Sequence, residues 1–183
     1  IMGAPMAGHL LAAGHSLVVT SRTKAKAQPL MDRGATWAAT PAEAAKGADF
    51  VFTCVPDTPD VESVLLGKGG VMEAAREGLV VVDHSTISPS ATRRVAEQLA
   101  ARGATLLDAP VSGGDVGARN ATLSIMVGGE ESAFVRARPL LEQVKTYSDE
   151  LARASDKVSV RVVDQALDIE LAKELKVGNN GVL

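Results

Sequence analysis

The residues that could do chemistry stand in short segments rich in Gly, Ser and Thr, each directly behind a run of apolar residues. The most informative is Asp108-Ala109-Pro110-Val111-Ser112-Gly113-Gly114. Ser112 offers a hydroxyl, and Gly113 and Gly114 leave consecutive backbone N–H groups accessible. Such a cluster can grip a carboxylate without a cation, although any S-G-G can equally be a plain turn. At the start of the chain, Ile1-Met2-Gly3 leads into a helical stretch. Gly3 can be the last glycine of a G-x-G-x-x-G turn, in which the backbone approaches a pyrophosphate resting on the helix N-terminus. Ser21-Arg22-Thr23 closes the next apolar run, where an adenosine ribose is read. An acid at this place binds a 2′-OH, whereas an arginine accommodates a 2′-phosphate, so Arg22 leans the reading toward NADP over NAD. Val55-Pro56-Asp57-Thr58-Pro59 and Asp83-His84-Ser85-Thr86-Ile87-Ser88-Pro89 follow two more such runs. Thr86 could offer a hydroxyl to a cofactor or help to cap the next helix. His84 reads as a packed or surface imidazole rather than a catalytic base.

These segments need elements to hold them, and helix and strand signals alternate along the chain. Residues 4–13 read as a helix stopped at Gly14, and Ser16–Thr20 as a strand. Residues 23–33 read as a helix ending at Gly34. Thr40-Pro41-Ala42-Glu43 is an N-cap with Pro at the first helical position and Glu at the capping-box position. Asp49–Val55 and Leu79–Val82 are continuous apolar runs, as expected of strands covered on both faces. A helix from Ser88-Pro89, strands at Ala104–Asp108 and Thr122–Val127, and a helix from Glu130 complete the series. This rhythm with short connections predicts an α/β fold with a doubly wound, mainly parallel Rossmann-like sheet. From about Val144 the pattern changes to mostly helical propensity. The expected division is therefore a dinucleotide-binding domain over 1–144 and a helical tail over 145–183, the beginning or a remnant of a second domain.

Composition narrows the function classes. The chain has 183 residues, of which 46% are hydrophobic and only 3% aromatic, so its core must be built from Ala, Val, Leu and Ile. A net charge of -3 argues against a nucleic-acid binder. The single cysteine, Cys54, excludes an internal disulfide and a Cys-rich metal site; its apolar setting suits a buried structural thiol. The apolar runs fall far short of the ~20 residues of a membrane span. A soluble cytoplasmic protein is expected, with any targeting segment lying ahead of Ile1.

Taken together, MGAPMAGHLLAAGH, VPDTPDV, DHSTISP, DAPVSGGDVGA and TLSIMVGG resemble the β-hydroxyacid dehydrogenase family, in that order and over roughly residues 1–144. The family includes 3-hydroxyisobutyrate dehydrogenase and 2-hydroxy-3-oxopropionate reductase, and DAPVSGG is the most specific of the matching stretches. The resemblance implies hydride transfer between NAD or NADP and a short hydroxy acid. It implies that Ser112, Gly113 and Gly114 hold the substrate carboxylate, and that Met2, Gly3, Arg22, Thr23, Val55, Pro56 and Thr86 contact the cofactor. It further implies a small carboxylate substrate and a homo-oligomer when full length. In the family, a K-x-x-N-[NQ] motif supplies a lysine that protonates the carbonyl oxygen and an Asn that assists it. Lys176-Val177-Gly178-Asn179-Asn180 matches that spelling, placing the acid at Lys176 and its helper at Asn180. General acid catalysis of this kind contributes ~10²–10⁴ in rate.

The sequence also departs from the family pattern. ALDIELAKEL replaces the short strand and Gly-rich turn that normally precede the lysine, and ELAKELKV resembles a helix of the family's C-terminal domain; under that reading Lys176 is an accidental match. Two other functions share the motifs: an imine or succinic semialdehyde reductase, and a non-catalytic dinucleotide-binding fragment. The chain begins inside its Gly-rich turn, so the strand ahead of Gly3 is expected to be missing from the sheet. That favours poor dinucleotide binding and poor expression of the 183-residue chain alone.

Overall fold

The apolar run around Val80 becomes the middle strand of a three-stranded parallel sheet in the computed structural model, which describes residues 2–144. In chain order the elements are α1 (Gly3–Ala12), β1 (Val18–Val19), a 3-10 turn at Lys24–Ala27 running into α2 (Gln28–Met31), β2 (Thr36–Trp37) and α3 (Pro41–Ala45). β3 (Phe50–Thr53), α4 (Thr58–Leu66), a 3-10 turn at Val71–Ala74, β4 (Val80–Asp83), α5 (Pro89–Ala100) and β5 (Thr105–Asp108) follow. β6 (Val111–Ser112), α6 (Gly114–Asn120), β7 (Ser124–Ile125) and α7 (Glu131–Val144) complete it. Lys176, Asn180 and the expected helical tail lie outside the described residues.

β4 lies between β3 and β5, with Phe50 opposite Val80 and Val80 opposite Thr105. Alternation along the strands then makes two cores. Val81 and Leu106 pack with Val61 and Leu65 of α4 and Val95 and Leu99 of α5 on one face. Val80, Val82 and Leu107 pack with Ala133, Ala137 and Leu141 of α7 on the other. α5 buries Ala91, Val95 and Leu99, one stripe at helical spacing. Each buried Val or Leu contributes ~1.5–3 kcal/mol, and the small alanines let the helices lie close to the sheet. A third cluster, Met6, Leu10, Ala118, Leu123 and Val144, joins α1 to α6 and α7.

The α/β architecture agrees with the sequence, and several boundaries move. The helix expected over 23–33 is split: Pro29 sits in the first turn of α2, so a 3-10 turn precedes a single α-turn. The strand expected over Ser16–Thr20 keeps only Val18 and Val19, paired in parallel with Thr36 and Trp37, a strand the sequence did not announce. Thr122–Val127 contracts to Ser124–Ile125, which pairs antiparallel with Val111–Ser112. The S-G-G segment therefore begins at the end of a short strand. Only β4 is covered as completely as both apolar runs predicted. Among the described residues β3 bonds to β4 on one side only, and Phe50, Val51 and Phe52 are half-buried. Among the described residues the β1–β2 pair is a separate sheet from β3–β4–β5, and Val18 is 46% exposed.

Candidate functional site

Three parallel strands in register bring Thr53, Asp83 and Asp108 side by side at their carboxyl ends. In open α/β sheets this is the edge on which ligands bind. Asp83 is buried and organises the edge: its Oδ1 accepts from the Thr53 hydroxyl at 2.8 Å and from the Ser85 N–H at 3.0 Å. The Ser85 hydroxyl in turn accepts from the Val55 N–H at 3.0 Å. Backbone bonds add to this tie, from His84 N–H to the Thr53 carbonyl and from Ala109 N–H to the Asp83 carbonyl, both at 2.8 Å. The loops after β3, β4 and β5 are thus joined through a few buried polar groups. The sequence alone assigns Asp83 and Ser85 no task. The available signal was two polar residues flanking His84 straight after an unbroken Val run.

His84 is packed, as the sequence suggested. Its Nδ1 lies 2.6 Å from the Ala109 carbonyl, which can only accept, so Nδ1 carries the proton. Nε2 is then a bare, buried lone pair without a partner among the described residues. Burial pulls the imidazole below its ordinary pKa, against the Ala109 bond and the Asp83 charge, and the ring stacks on Phe52 at 5.9 Å. Burial, followed by the charge of Asp83, pushes the Asp108 carboxyl up to about 6. Burial also raises the half-buried Cys54 thiol, with Asp83 adding to the effect, so Cys54 is a poor nucleophile near neutrality.

Around this edge stand the residues singled out from the sequence. Gly3 opens α1, with Met2 as N-cap; an added Cβ on Gly3 would lie 3.6 Å from the Cys54 Cβ, which sets the start of α1 beside the end of β3. Among the described residues no side chain caps α1 and its first turn carries no acid, an arrangement that suits an anion at its N–H groups. Val55 is half-buried and Pro56 exposed. Asp57 N-caps α4, its Oδ1 accepting from the Thr58 N–H at 2.6 Å, and Pro59 sits in the first turn. Thr86 is exposed and does not cap α5, whose N-cap is Ser88; its hydroxyl makes no hydrogen bond among the described residues. Arg22 and Thr23 are exposed beyond β1, and Arg22 Nη1 lies 3.5 Å from Asp60 Oδ1.

Ser112 is exposed at the end of β6, with no hydrogen bond to its hydroxyl among the described residues. Gly113 and Gly114 adopt φ of 127° and 63°, and a Cβ on Gly113 would lie 3.2 Å from Leu123 Cδ2. The turn therefore requires glycine for its own backbone, whatever it binds. The residues present fit a dinucleotide: among the described residues, an uncapped helix start by a strand end, an exposed arginine after β1, and hydroxyls at Thr86 and Ser112 without a partner.

Comparison with known proteins agrees with this geometry. The family described as the NAD binding domain of 6-phosphogluconate dehydrogenase matches residues 1–160. The chain is 44% identical over 177 residues to 2-hydroxy-3-oxopropionate reductase of Escherichia coli K12, covering 95% of this chain and 60% of that protein. A solved structure of 3-hydroxyisobutyrate dehydrogenase from Salmonella typhimurium matches with a TM-score of 0.73 and 34% identity, over 78% of this chain and 50% of that one. A structure described as Psf3 in complex with NADP+ and 2-OPP matches with a TM-score of 0.73 and 32% identity, over 79% and 51%. The chain thus spans between half and three-fifths of the length of these relatives. With its parallel sheet, its open helix start and a match over most of its length, this chain belongs to the family of the NAD binding domain of 6-phosphogluconate dehydrogenase.

Proposed function

We propose that the protein carrying this chain transfers a hydride between NAD(P) and a short-chain 3-hydroxy acid or its semialdehyde, of the 3-hydroxyisobutyrate or tartronate semialdehyde type. The observation that carries the reading is the exposed Ser112 hydroxyl, without a partner among the described residues, at the head of a two-glycine turn that follows the strand whose end Asp83 ties to the site edge. In this reading Ser112, Gly113 and Gly114 hold the substrate carboxylate. Met2, Gly3, Val55, Pro56 and Thr86 line the cofactor, and Arg22 and Thr23 hold its adenosine end, with NADP favoured by the Arg22 charge. The nicotinamide, when bound, supplies or accepts the hydride. The hydrogen bonds that link Asp83, Ser85 and Val55 hold the loop that would line it. Hydride addition builds negative charge on the carbonyl oxygen, and Lys176, assisted by Asn180, protonates it. The whole protein works as a homo-oligomer, with residues 1–144 as its dinucleotide domain and 145–183 beginning the helical one.

The test is steady-state kinetics of the full-length protein with short carboxylated semialdehydes and, in parallel, with cyclic imines. Ser112→Ala should raise KM for the carboxylated substrate about ten- to hundredfold, the loss of one hydrogen bond to a charged group, with cofactor affinity retained. Unchanged KM would remove Ser112 from the carboxylate site. Turnover of imines alone would overturn the substrate class.

A further inference from the structure

Arg22 and Asp60 are 38 residues apart in sequence and meet at the adenosine end of the proposed dinucleotide site. Asp60 lies in the first turn of α4. It is not needed to cap that helix, because Asp57 already accepts from the Thr58 N–H. Arg22 reaches Asp60 from the end of β1, and Asp60 is its one ion-pair partner among the described residues. The contact is loose: 3.5 Å exceeds the roughly 2.7–2.9 Å of a charge-assisted hydrogen bond. By contrast Arg94–Glu62 and Arg119–Asp115 each close to 2.5 Å. The Arg22 side chain is 84% exposed and that of Asp60 35%, so a ligand can reach the guanidinium and displace the carboxylate.

We infer that Asp60 sets the balance between NADP and NAD by competing with the 2′-phosphate for Arg22; this rests on the dinucleotide reading above. A 2′-phosphate that engages Arg22 must break the Arg22–Asp60 contact and then sit beside the Asp60 carboxylate, an anion against an anion. NAD carries only a neutral hydroxyl there and leaves the pair intact. Asp60 is therefore a brake on NADP, and Arg22 remains the group that draws the phosphate in.

Calorimetric titration of NADP+ and NAD+ into the full-length protein, its Asp60→Asn variant and its Arg22→Ala variant tests this. Asp60→Asn keeps the shape and removes the charge. It should tighten NADP+ about three- to tenfold while NAD+ changes by less than about twofold, and the gain should shrink at high salt. Arg22→Ala should weaken NADP+ about tenfold or more and barely alter NAD+. NAD+ binding also serves as the check that each variant is folded. Equal shifts for both dinucleotides, or none, would overturn the competition. A loss confined to NAD+ would overturn it too, making Asp60 an acceptor for a ribose hydroxyl. If the unaltered protein bound neither dinucleotide, the dinucleotide reading itself would fall, and this inference with it.

Discussion

Asp108→Asn should stabilise the protein at neutral pH and above, and not in acid. Asp108 is half-buried at the end of β5, beside the buried Asp83 across the register, and its carboxyl is moved from 3.8 to about 6. At 1.36 kcal/mol per pKa unit, ionising it in the fold costs about 3 kcal/mol; partial solvation reduces this to about 1–2 kcal/mol. The sign follows from proton binding. Between the ordinary and raised values the folded state holds more protons than the unfolded one, so stability falls as pH rises through this window. The contribution of a neutral Asp108 is complete below about pH 4 and lost above about pH 6. Asn is neutral throughout and avoids that loss. Urea unfolding of both proteins across this range should show the variant more stable by about 1–2 kcal/mol at pH 7.5, the gap closing toward pH 4. A variant no more stable at pH 7.5, or a gap independent of pH, would refute the assignment of burial and Asp83 as the cause.

Two further substitutions separate packing from binding. Gly3→Ala meets only ordinary contact with Cys54 and replaces a glycine in the first turn of a helix, so unfolding should show stability unchanged or raised by up to about 1 kcal/mol. In the proposed site the same Cβ would stand in the way of the pyrophosphate, so dinucleotide affinity, followed by titration, should fall about tenfold or more; unchanged affinity would remove Gly3 from the proposed cradle. Leu99→Ala empties a fully buried site in the α5 face and should cost about 2–5 kcal/mol in urea unfolding, whereas under about 1 kcal/mol would contradict the packing described.

Much of the fold was legible where a local rule decides the outcome. Thr40 does accept from the Glu43 N–H, at 3.1 Å, although the Glu43 carboxylate reaches back to the Ala39 N–H rather than to Thr40 itself. Gly14 and Gly34 end their helical stretches with φ of 91° and 104°, as their positions suggested. What sequence could not give depends on partners distant along the chain. β2 and β6 are two-residue strands whose existence rests on pairing with Val18–Val19 and Ser124–Ile125. The half-exposure of β3 depends on which strands flank it, which its apolar composition does not encode. Arg22, Val55, Thr86 and Ser112 could be singled out as candidates because each follows an apolar run, which is visible locally. The role of Asp83 was not, since it needs the register that sets Thr53 and Asp108 on either side.

The central claim is hydride transfer to a small carboxylated carbonyl compound. The most direct measurement incubates the full-length protein with a reduced nicotinamide cofactor deuterated at its transferring carbon and a short semialdehyde such as tartronate semialdehyde, then weighs the hydroxy-acid product by mass spectrometry. The account predicts one deuterium on the former carbonyl carbon, together with loss of reduced-nicotinamide absorbance. Product formed without deuterium, or no product from any carboxylated semialdehyde while the protein still binds the cofactor, would contradict it.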